Sequence, residues 1–217
     1  MSEPCVYVVD DDAAVRDALQ RLLESAGHGV RAFESAAQCL QFLRAAEGPA
    51  RDEIACLVLD LAMPGQDGLQ LQQRLLERAP ELPVVFLTGR GDIAATVQAM
   101  KRGATDFLTK PVEDEVLLAA VDAALAEAGR RNEQRLRTAT IAERLATLTA
   151  RERQVLDRVL EGRLNKQIAG DLGTTEKTVK FHRGNAMRKM GVRSVAELAR
   201  RMVEAGAADA APGTKAR

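Results

Sequence analysis

The chain has 217 residues, of which 46% are apolar and 29% charged, as in an ordinary globular protein. Its three cysteines, Cys5, Cys39 and Cys56, lack the CxxC spacing of a zinc site, and no apolar run reaches the roughly 18 residues that a membrane span needs. The first apolar run is cut at Asp10 without a preceding basic residue, so we expect no signal peptide. These features predict a cytoplasmic protein with reduced cysteines and exclude a disulfide framework.

The net charge of zero conceals a division between the two halves of the chain. Residues 1–125 hold 20 Asp and Glu against 11 Lys and Arg, a net charge of −9. Residues 126–217 hold 11 against 20, a net charge of +9. This division predicts two domains with different partners, and the partner of the basic rear domain is expected to be a polyanion.

Short apolar runs alternate with helical patterns through the front half. The predicted strands are Cys5–Val9, Gly29–Phe33, Ile54–Leu59, Val84–Leu87 and Thr105–Leu108. The predicted helices are Ala13–Ala26, Ala36–Ala46, Gly68–Ala79, Ile93–Arg102 and Asp114–Ala128. Ser35 with Gln38 forms a capping-box pattern, and Asp92 occupies an N-cap position. This alternation predicts a doubly wound α/β fold with a five-stranded parallel sheet.

Polar side chains follow four of the five predicted strands. They are Asp10, Asp11 and Asp12 after the first strand, Asp60 after the third, Thr88 after the fourth and Lys110 after the fifth. Because the carboxyl ends of parallel strands lie at one edge of a sheet, we expect these side chains to converge. The second strand contributes none, which predicts an outer position. Asp12 is expected to cap the first helix and to face solvent.

Carboxylates crowded in this way repel one another by about 3 kcal/mol per pair at about 5 Å and an effective dielectric constant of about 20. Mg²⁺ would remove this cost, since it prefers oxygen ligands and is often shared with a phosphoryl group. A carboxylate can also be the nucleophile that takes a phosphoryl group, with a metal, a hydroxyl and an ammonium stabilising its oxygens. Taken singly, each residue could be only a cap, a turn residue or a solvated lysine.

The segments VVDDD, VLDLAMPGQDG, VVFLTGRGD and ATDFLTKP together resemble the receiver domain of two-component response regulators, over residues 1–125. The resemblance implies a CheY-like receiver with the strand order 2-1-3-4-5. It implies that Asp60 accepts a phosphoryl group from a sensor histidine kinase. It also implies that Asp10, Asp11, Asp60 and the backbone carbonyl of Ala62 hold Mg²⁺.

The same resemblance assigns roles to residues near the end of the front half. Thr88 would be the switch hydroxyl, Phe107 the switch aromatic and Lys110 the phosphate-binding lysine, with a cis Lys110–Pro111 bond. Arg90 lies two residues after Thr88 and places a cation near the site. We hypothesise that Arg90 affects the lifetime of the aspartyl phosphate.

Residues 126–146 are charged and free of proline, and they predict a linker helix that continues the fifth helix of the front half. One helix over residues 114–144 would be about 46 Å long. A break at Gly129 is the alternative.

Four further helices are predicted after this linker. The first begins at the capping box of Thr149 and Glu152 and ends at Gly162, and the second begins at the cap Asn165 and ends at Gly173. The third begins at Thr174 or Thr175 and ends at Gly191. The fourth begins at the capping box of Ser194 and Glu197. The tight turn between the second and third of these predicts a helix-turn-helix unit. Residues 207–217 are expected to be a disordered tail.

The third helix of this group combines an apolar stripe with basic residues. The stripe consists of Val179, Ala186 and Met190. The basic residues are Lys177, Lys180 and Arg183, with Arg188 and Lys189 near the end. A basic helix face is often only solvated, but this helix is the second of the turn motif in a segment of net charge +9. Its position therefore favours the major groove of DNA.

The segment LTARERQVLDRVLEGRLNKQIAGDLGTTEKTVKFHRGNAMRKM resembles the LuxR/FixJ/NarL-type DNA-binding domain. The whole chain is similar to FixJ-type response regulators of the StyR/TodT branch, with a receiver at 1–125, a linker helix at 126–146 and a LuxR-type all-α domain of four helices at 147–206. The implied DNA-binding residues are Lys166, Lys177, Thr178, Lys180, Phe181, Arg183 and Asn185. Phe181 stands where the family often has an aliphatic residue, and Gly184 where a larger contacting side chain can stand, so the preferred base sequence stays open.

These resemblances imply a transcription regulator that is not a turnover enzyme. Phosphorylation of Asp60 would favour a homodimer on double-stranded promoter DNA, with RNA polymerase as a further candidate partner and no membrane partner. One alternative is a magnesium-dependent phosphatase, which would want a carboxylate two residues beyond the nucleophile, where Ala62 stands. Another is a protein that binds DNA independently of phosphorylation. A third is an interaction-only protein whose switch is degenerate, and the complete Asp, Thr and Lys set argues against it.

Overall fold

The computed structural model describes residues 4–45, 53–63, 67–79, 81–89 and 93–204. The chain divides into two compact units, Met1–Asn132 and Glu133–Arg217. The hypothesis about Arg90, the Asp92 cap and the predicted tail at 207–217 fall outside the described residues. Of the helices in the described ranges, none has the combination of length and apolar character that crossing a bilayer requires.

A parallel five-stranded sheet forms the centre of the N-terminal unit. Its strands are β1 (Cys5–Val9), β2 (Gly29–Phe33), β3 (Ala55–Asp60), β4 (Val84–Thr88) and β5 (Asp106–Thr109). They lie in the order β2-β1-β3-β4-β5, so the predicted fold class and strand order are confirmed, including the outer position of β2. Strands β3 and β4 each extend one residue further than predicted, because Asp60 and Thr88 still pair with the neighbouring strand.

The sheet is covered on both faces, which explains why its central strands are apolar throughout. Successive side chains of a strand point to opposite faces. Accordingly Tyr7 and Val9 of β1 pack in one buried cluster, whereas Val6 and Val8 pack in the other. Burial on both faces favours a continuous apolar run over an alternating one.

Five helices of the described residues belong to or begin in this unit. They are α1 (Ala13–Ser25), α2 (Ala36–Ala45), α3 (Gly68–Arg78), α4 (Ile93–Lys101) and α5 (Asp114–Ala146). Asp12 caps α1, as predicted: its exposed carboxylate accepts hydrogen bonds from the Ala14 and Val15 N–H groups at 2.8 and 3.4 Å. Helix α5 is continuous through Gly129, so the single long helix is confirmed.

Four shorter helices follow in the C-terminal unit: α6 (Ala150–Leu160), α7 (Asn165–Asp171), α8 (Glu176–Met190) and α9 (Val195–Glu204). Thr149 and Glu152 form the predicted capping box at α6, and Thr175 is the cap of α8. Gly173 lies in the turn between α7 and α8 with a φ of 60°, which favours glycine.

Two predicted helix starts differ in detail from the structure. Asn165 is the first helical residue of α7 and not its cap; the cap is Leu164, whose N–H donates to the Gln167 side chain at 2.8 Å. The Asn165 side chain instead accepts a hydrogen bond from Arg183 at 3.1 Å. At α9, Ser194 accepts from the Glu197 N–H as predicted, but the Glu197 carboxylate accepts from the Arg193 N–H.

The last turns of α5 belong to the core of the C-terminal unit. Ile141 is buried in a cluster with Leu156, Ala186 and other residues of α6, α8 and α9. Arg144 Nη1 donates to the Met190 carbonyl oxygen at 2.6 Å, close to where α8 ends. This end of α5 therefore packs against α6, α8 and α9.

Candidate metal centre and nucleic-acid interface

The carboxyl edge of the sheet gathers three carboxylates. Asp10, Asp11 and Asp60 each offer one oxygen, and these oxygens all lie within 4.8 Å of one another. Asp10 and Asp60 are buried, with 2% and 6% of their surface exposed, whereas Asp11 is exposed. The convergence expected from the sheet topology is therefore present.

Local hydrogen bonds fix the two buried carboxylates. Asp10 Oδ1 accepts from the Asp12 N–H at 3.0 Å, and Asp60 Oδ2 accepts from the Ala62 N–H at 3.1 Å. Arg16 Nη1 donates to the Asp10 carbonyl oxygen at 2.8 Å and so ties α1 to this loop. This role of Arg16 was not predicted from the sequence, because no local motif relates an arginine in the first turn of a helix to a carbonyl oxygen six residues earlier.

Lys110 closes the cluster from the other side. Its Nζ lies 2.6 Å from Asp10 Oδ2 and 3.1 Å from Asp60 Oδ1. The Lys110 N–H donates to the Thr88 carbonyl oxygen at 2.7 Å, which sets the position of this residue beside the end of β4. The Lys110–Pro111 peptide bond is cis, as expected.

Burial and charge act against each other in this cluster. Burial raises the pKa of Asp60, although the hydrogen bond and the charge of Lys110 oppose the rise. Burial disfavours the Lys110 ammonium, but its hydrogen bonds to Asp10 and Asp60 outweigh this and raise the pKa of Lys110. Three carboxylates and one ammonium have a formal charge of −3 + 1 = −2, so the residues present fit a divalent cation with oxygen ligands.

The two predicted switch residues lie on adjacent strands. Thr88 is fully buried at the end of β4. Phe107 of β5 is partly buried and pairs with Phe86 of β4, and the two ring centroids are 5.9 Å apart. Thr88 is thus the last residue of β4, at the carboxyl edge of the sheet, whereas the Phe107 ring lies against Phe86, two residues before Thr88.

Helix α8 presents a buried face and an open face. The predicted stripe of Val179, Ala186 and Met190 is buried. Successive residues of a helix are rotated by about 100°, so the opposite side is made of other residues. They are Lys177, Phe181, Gly184 and Arg188, all exposed. Phe181 is 64% exposed, which is unusual for a large aromatic side chain and places it at the centre of the open face.

The predicted basic residues of α8 do not share one side of the helix. A three-residue spacing rotates by about 300°, so the repeat drifts by about 60° at each step. Lys177 lies on the open face, Lys180 lies on its flank, and partly buried Arg183 turns toward α7 and bonds Asn165. On the other flank, Thr178 Oγ1 is 2.9 Å from Thr175 Oγ1.

The remaining predicted contacts lie around this helix. Asn185 is partly buried and accepts a hydrogen bond from Arg188, and Lys166 is exposed on α7. Lys189 has a structural partner: its Nζ lies 2.6 Å from the buried Glu152 carboxylate. The hydrogen bonds from Lys189 and the Thr149 N–H lower the pKa of Glu152.

Comparisons with known proteins agree with both halves of this description. Residues 6–122 match the family model of the response regulator receiver domain, and residues 146–202 match that of bacterial regulatory proteins of the luxR family. The chain is 43% identical over 195 residues to the response regulator protein TodT of Pseudomonas putida, covering 90% of this chain and 83% of TodT.

Two further relatives cover nearly the whole chain. The transcriptional regulatory protein FixJ of Bradyrhizobium diazoefficiens is 41% identical over 201 residues, which is 93% of this chain and 95% of FixJ. The solved structure of the response regulator StyR is 42% identical with a TM-score of 0.80, covering 94% of this chain and all of that one.

A receiver domain implies a histidine kinase as partner, and a helix-turn-helix domain implies DNA binding. The acidic cluster at Asp10, Asp11 and Asp60 is the site of the receiver that could bind a metal ion. Of the relatives that match along nearly the full length, TodT is a response regulator and FixJ a transcriptional regulatory protein. The chain belongs to the two-component response regulators of the FixJ/NarL family, which are DNA-binding transcription factors.

Proposed function

We propose that Asp60 accepts a phosphoryl group from the kinase and that this modification drives homodimerisation and promoter binding. The observation that carries the proposal is the convergence of the Asp60 carboxylate with two further carboxylates and the Lys110 ammonium. In the transfer, an Asp60 oxygen would form a bond to phosphorus while the bond from phosphorus to the histidine nitrogen of the kinase breaks.

Asp10, Asp11, Asp60 and the carbonyl of Ala62 would hold Mg²⁺. When bound, the ion supplies positive charge against the carboxylates and the phosphoryl oxygens. The Ala62 N–H holds Asp60 Oδ2 and so orients the carboxylate. Lys110 would donate to a phosphoryl oxygen, since its ammonium already lies at Asp60 Oδ1.

Thr88 and Phe107 would transmit phosphorylation to the surface around α4 and β5. Exposed apolar side chains on α4 support this surface as the homodimer face. They are Ile93, Val97 and Met100, with Ile93 80% exposed. Residues at this spacing share one side of a helix, and an apolar side that faces solvent favours association.

We assign the receiver to residues 1–125, the linker to 126–146 and the DNA-binding domain to 147–206. Contacts to bases and phosphates are proposed for Lys166, Lys177, Thr178, Lys180, Phe181, Arg183 and Asn185. The exposed lysines of this set support attraction to a polyanion. A cytoplasmic location and a contact with RNA polymerase follow from the same proposal, since promoter DNA is the target.

Sedimentation velocity and DNA binding of the full chain, with and without acetyl phosphate and Mg²⁺, test the proposal. Wild type is expected to dimerise and to bind DNA more tightly only when both reagents are present. Asp60→Asn should do neither, while Asp12→Asn, which keeps the α1 cap, should behave as wild type. An Asp60→Asn protein that responded like wild type would refute Asp60 as the phosphoacceptor.

A further inference from the structure

An open groove of about 310 Å³ runs along one flank of α8, beside the turn that leads to α9. Three cationic side chains line it: Lys180, Arg183 and Arg193. Asn165 of α7 and Ser194 complete its polar lining, and no carboxylate lines it among the described residues. The groove therefore concentrates positive charge at a concave surface.

Of the three cationic residues that line this groove, Arg193 is the one that was not predicted to contact DNA. Its backbone N–H donates to Glu197 Oε2 at 2.9 Å, but the Glu197 carboxylate forms its ion pair with Arg201, at 2.6 Å. Within the described parts of the chain, the guanidinium of Arg193 has no ion-pair partner. Other arginines of the unit do: Arg153, Arg158, Arg163, Arg200 and Arg201.

Arg183 is held at the groove by α7. Its Nη1 donates to Asn165 Oδ1 at 3.1 Å, and Arg183 has no carboxylate partner within the described residues. A guanidinium carries five N–H donors, so one bond to a neutral amide orients the group while leaving its charge uncompensated. Lys180, on the wall next to the open face, is likewise exposed and without an ion-pair partner within the described parts of the chain.

The two flanks of α8 differ in charge. The flank with the groove carries Lys180 and Arg183 beside the exposed Glu176 of the first turn, and it faces Arg193. The opposite flank carries the neutral Thr178 and Asn185 together with Lys189, whose ammonium is paired with Glu152. A helix in the major groove has the phosphates of one DNA strand on each side of it. The groove flank has cations without an ion-pair partner among the described residues, so it should attract one strand more strongly than the opposite flank, whose lysine is paired, attracts the other.

We propose that this groove seats backbone phosphates of one DNA strand, with Arg193 as a phosphate-contacting residue outside α8. The inference rests on the proposed DNA-binding function, and it extends the interface to the turn between α8 and α9. A planar guanidinium binds phosphate in two-bond geometry, so a lysine at this position would keep the charge and lose part of the geometry. Such a contact positions the protein without reading sequence.

The test is the salt dependence of binding of the full chain to a short mixed-sequence duplex DNA, in acetyl phosphate and Mg²⁺, by fluorescence anisotropy. Arg193→Ala is expected to reduce the magnitude of the negative slope of log K against log salt by about 0.9, the value for one phosphate contact. Arg200→Ala removes the same charge from an exposed arginine of α9 that does not line the groove, and its slope should stay at the wild-type value. Arg193→Lys should keep the slope and weaken binding less than Arg193→Ala.

The outcomes separate this inference from the proposed function. A wild type that binds, with equal slopes for Arg193→Ala and Arg200→Ala, would overturn the phosphate contact and leave the proposed function intact. A wild type that shows no binding to any duplex, phosphorylated or not, would overturn both. The Arg193 side chain is exposed, and the hydrogen bond to the Glu197 carboxylate comes from the Arg193 backbone N–H. Each variant should therefore unfold at the wild-type temperature.

Discussion

The Lys110 ammonium lies 2.6 Å from the Asp10 carboxylate, although the strands that precede these residues, β5 and β1, are separated in the sheet by β3 and β4. One long side chain thus spans the carboxyl edge and passes Asp60, the last residue of the central strand β3. Any change in charge at Asp60 therefore acts on contacts that reach across the whole edge.

Replacing Asp60 by asparagine should stabilise the metal-free protein at neutral pH. Burial raises the pKa of Asp60, so the folded state binds this proton more tightly than the unfolded state does. The stability that the protonated group contributes is fully present below the unfolded pKa and is lost as the pH rises through the folded pKa. Asp60→Asn, which stays neutral, should keep that stability at pH 7 and gain little at low pH.

Thermal unfolding in EDTA over a range of pH measures this effect. The excess Tm of Asp60→Asn should shrink as the pH falls through the folded pKa of Asp60 and should be smallest below the pKa of an unfolded aspartate. Asp12→Asn is the matched control, because it makes the same side-chain change at an exposed residue and asparagine can keep the α1 cap. Identical Tm values for wild type and Asp60→Asn at every pH would contradict the expectation.

A methyl group at Gly68 should displace Asp60. A Cβ there would lie 2.5 Å from the Asp60 carbonyl oxygen and 3.1 Å from the Leu61 Cα, and backbone atoms cannot yield as a flexible side chain can. Gly68→Ala is expected to lower the free energy of unfolding by about 1 to 3 kcal/mol and to slow labelling of Asp60 by acetyl phosphate. Urea unfolding and the rate of labelling measure the two effects.

Gly129→Ala is the matched control for that substitution. It lies in the interior of α5, where an added Cβ would meet nothing within 4 Å. The helix propensity of alanine should raise the free energy of unfolding by about 1 kcal/mol, with no change in labelling. Similar effects of the two substitutions would argue against a close approach at Gly68.

Gln72 should tolerate leucine better than alanine. Its side chain is buried, and Nε2 donates to the Ala99 carbonyl oxygen at 3.0 Å, while Oε1 is buried without a hydrogen bond from any described residue. The Ala99 oxygen also accepts from the Arg102 and Ala104 N–H groups, each at 3.1 Å. Gln72→Leu therefore leaves that oxygen satisfied and removes a buried polar atom.

We expect Gln72→Leu to change the free energy of unfolding by less than about 1 kcal/mol, and Gln72→Ala to cost about 2 kcal/mol or more through the cavity. Chemical denaturation of the two variants beside wild type gives both values. Equal losses for leucine and alanine would show that the carboxamide, and not its volume, holds α3 against α4.

Removing the cap of α6 should destabilise the C-terminal unit. Thr149 Oγ1 accepts a hydrogen bond from the Glu152 N–H at 3.2 Å. Thr149→Ala removes this hydrogen bond and should lower the free energy of unfolding by about 1 kcal/mol. Calorimetry should show the loss in the unfolding transition of this unit. Thr140→Ala, in the interior of α5, is the control and should cost nothing, since alanine is the better helix former.

The acidic edge was predictable because topology alone determines it. Once the strands were read as parallel, Asp10, Asp60 and Lys110 had to lie at one edge, whatever their side-chain conformations. Helix ends with local signals were predictable for a different reason: the cap residues Asp12 and Thr149 form hydrogen bonds with residues at most three positions away. Local chemistry and strand order together account for most of the candidate site.

Contacts made by long side chains across the fold were not predictable. Asn165 has the side chain of a good cap, but a hydrogen bond from Arg183, 18 residues later, engages it instead. Gln72 reaches Ala99 and Arg16 reaches the Asp10 carbonyl through rotamers that no short pattern specifies. The drift of Lys177, Lys180 and Arg183 around α8 was, by contrast, available from helical geometry and needed only the rotation per residue.

The burial of Ile141 and the bond from Arg144 to the Met190 carbonyl determine where this protein can be cut. A fragment that begins at residue 147 would lack both side chains. Apolar surface on α6, α8 and α9 would then be exposed to solvent, and the fragment should aggregate more readily. A fragment that begins at Glu133 would instead keep the end of α5 that covers this apolar surface, so we expect it to stay soluble.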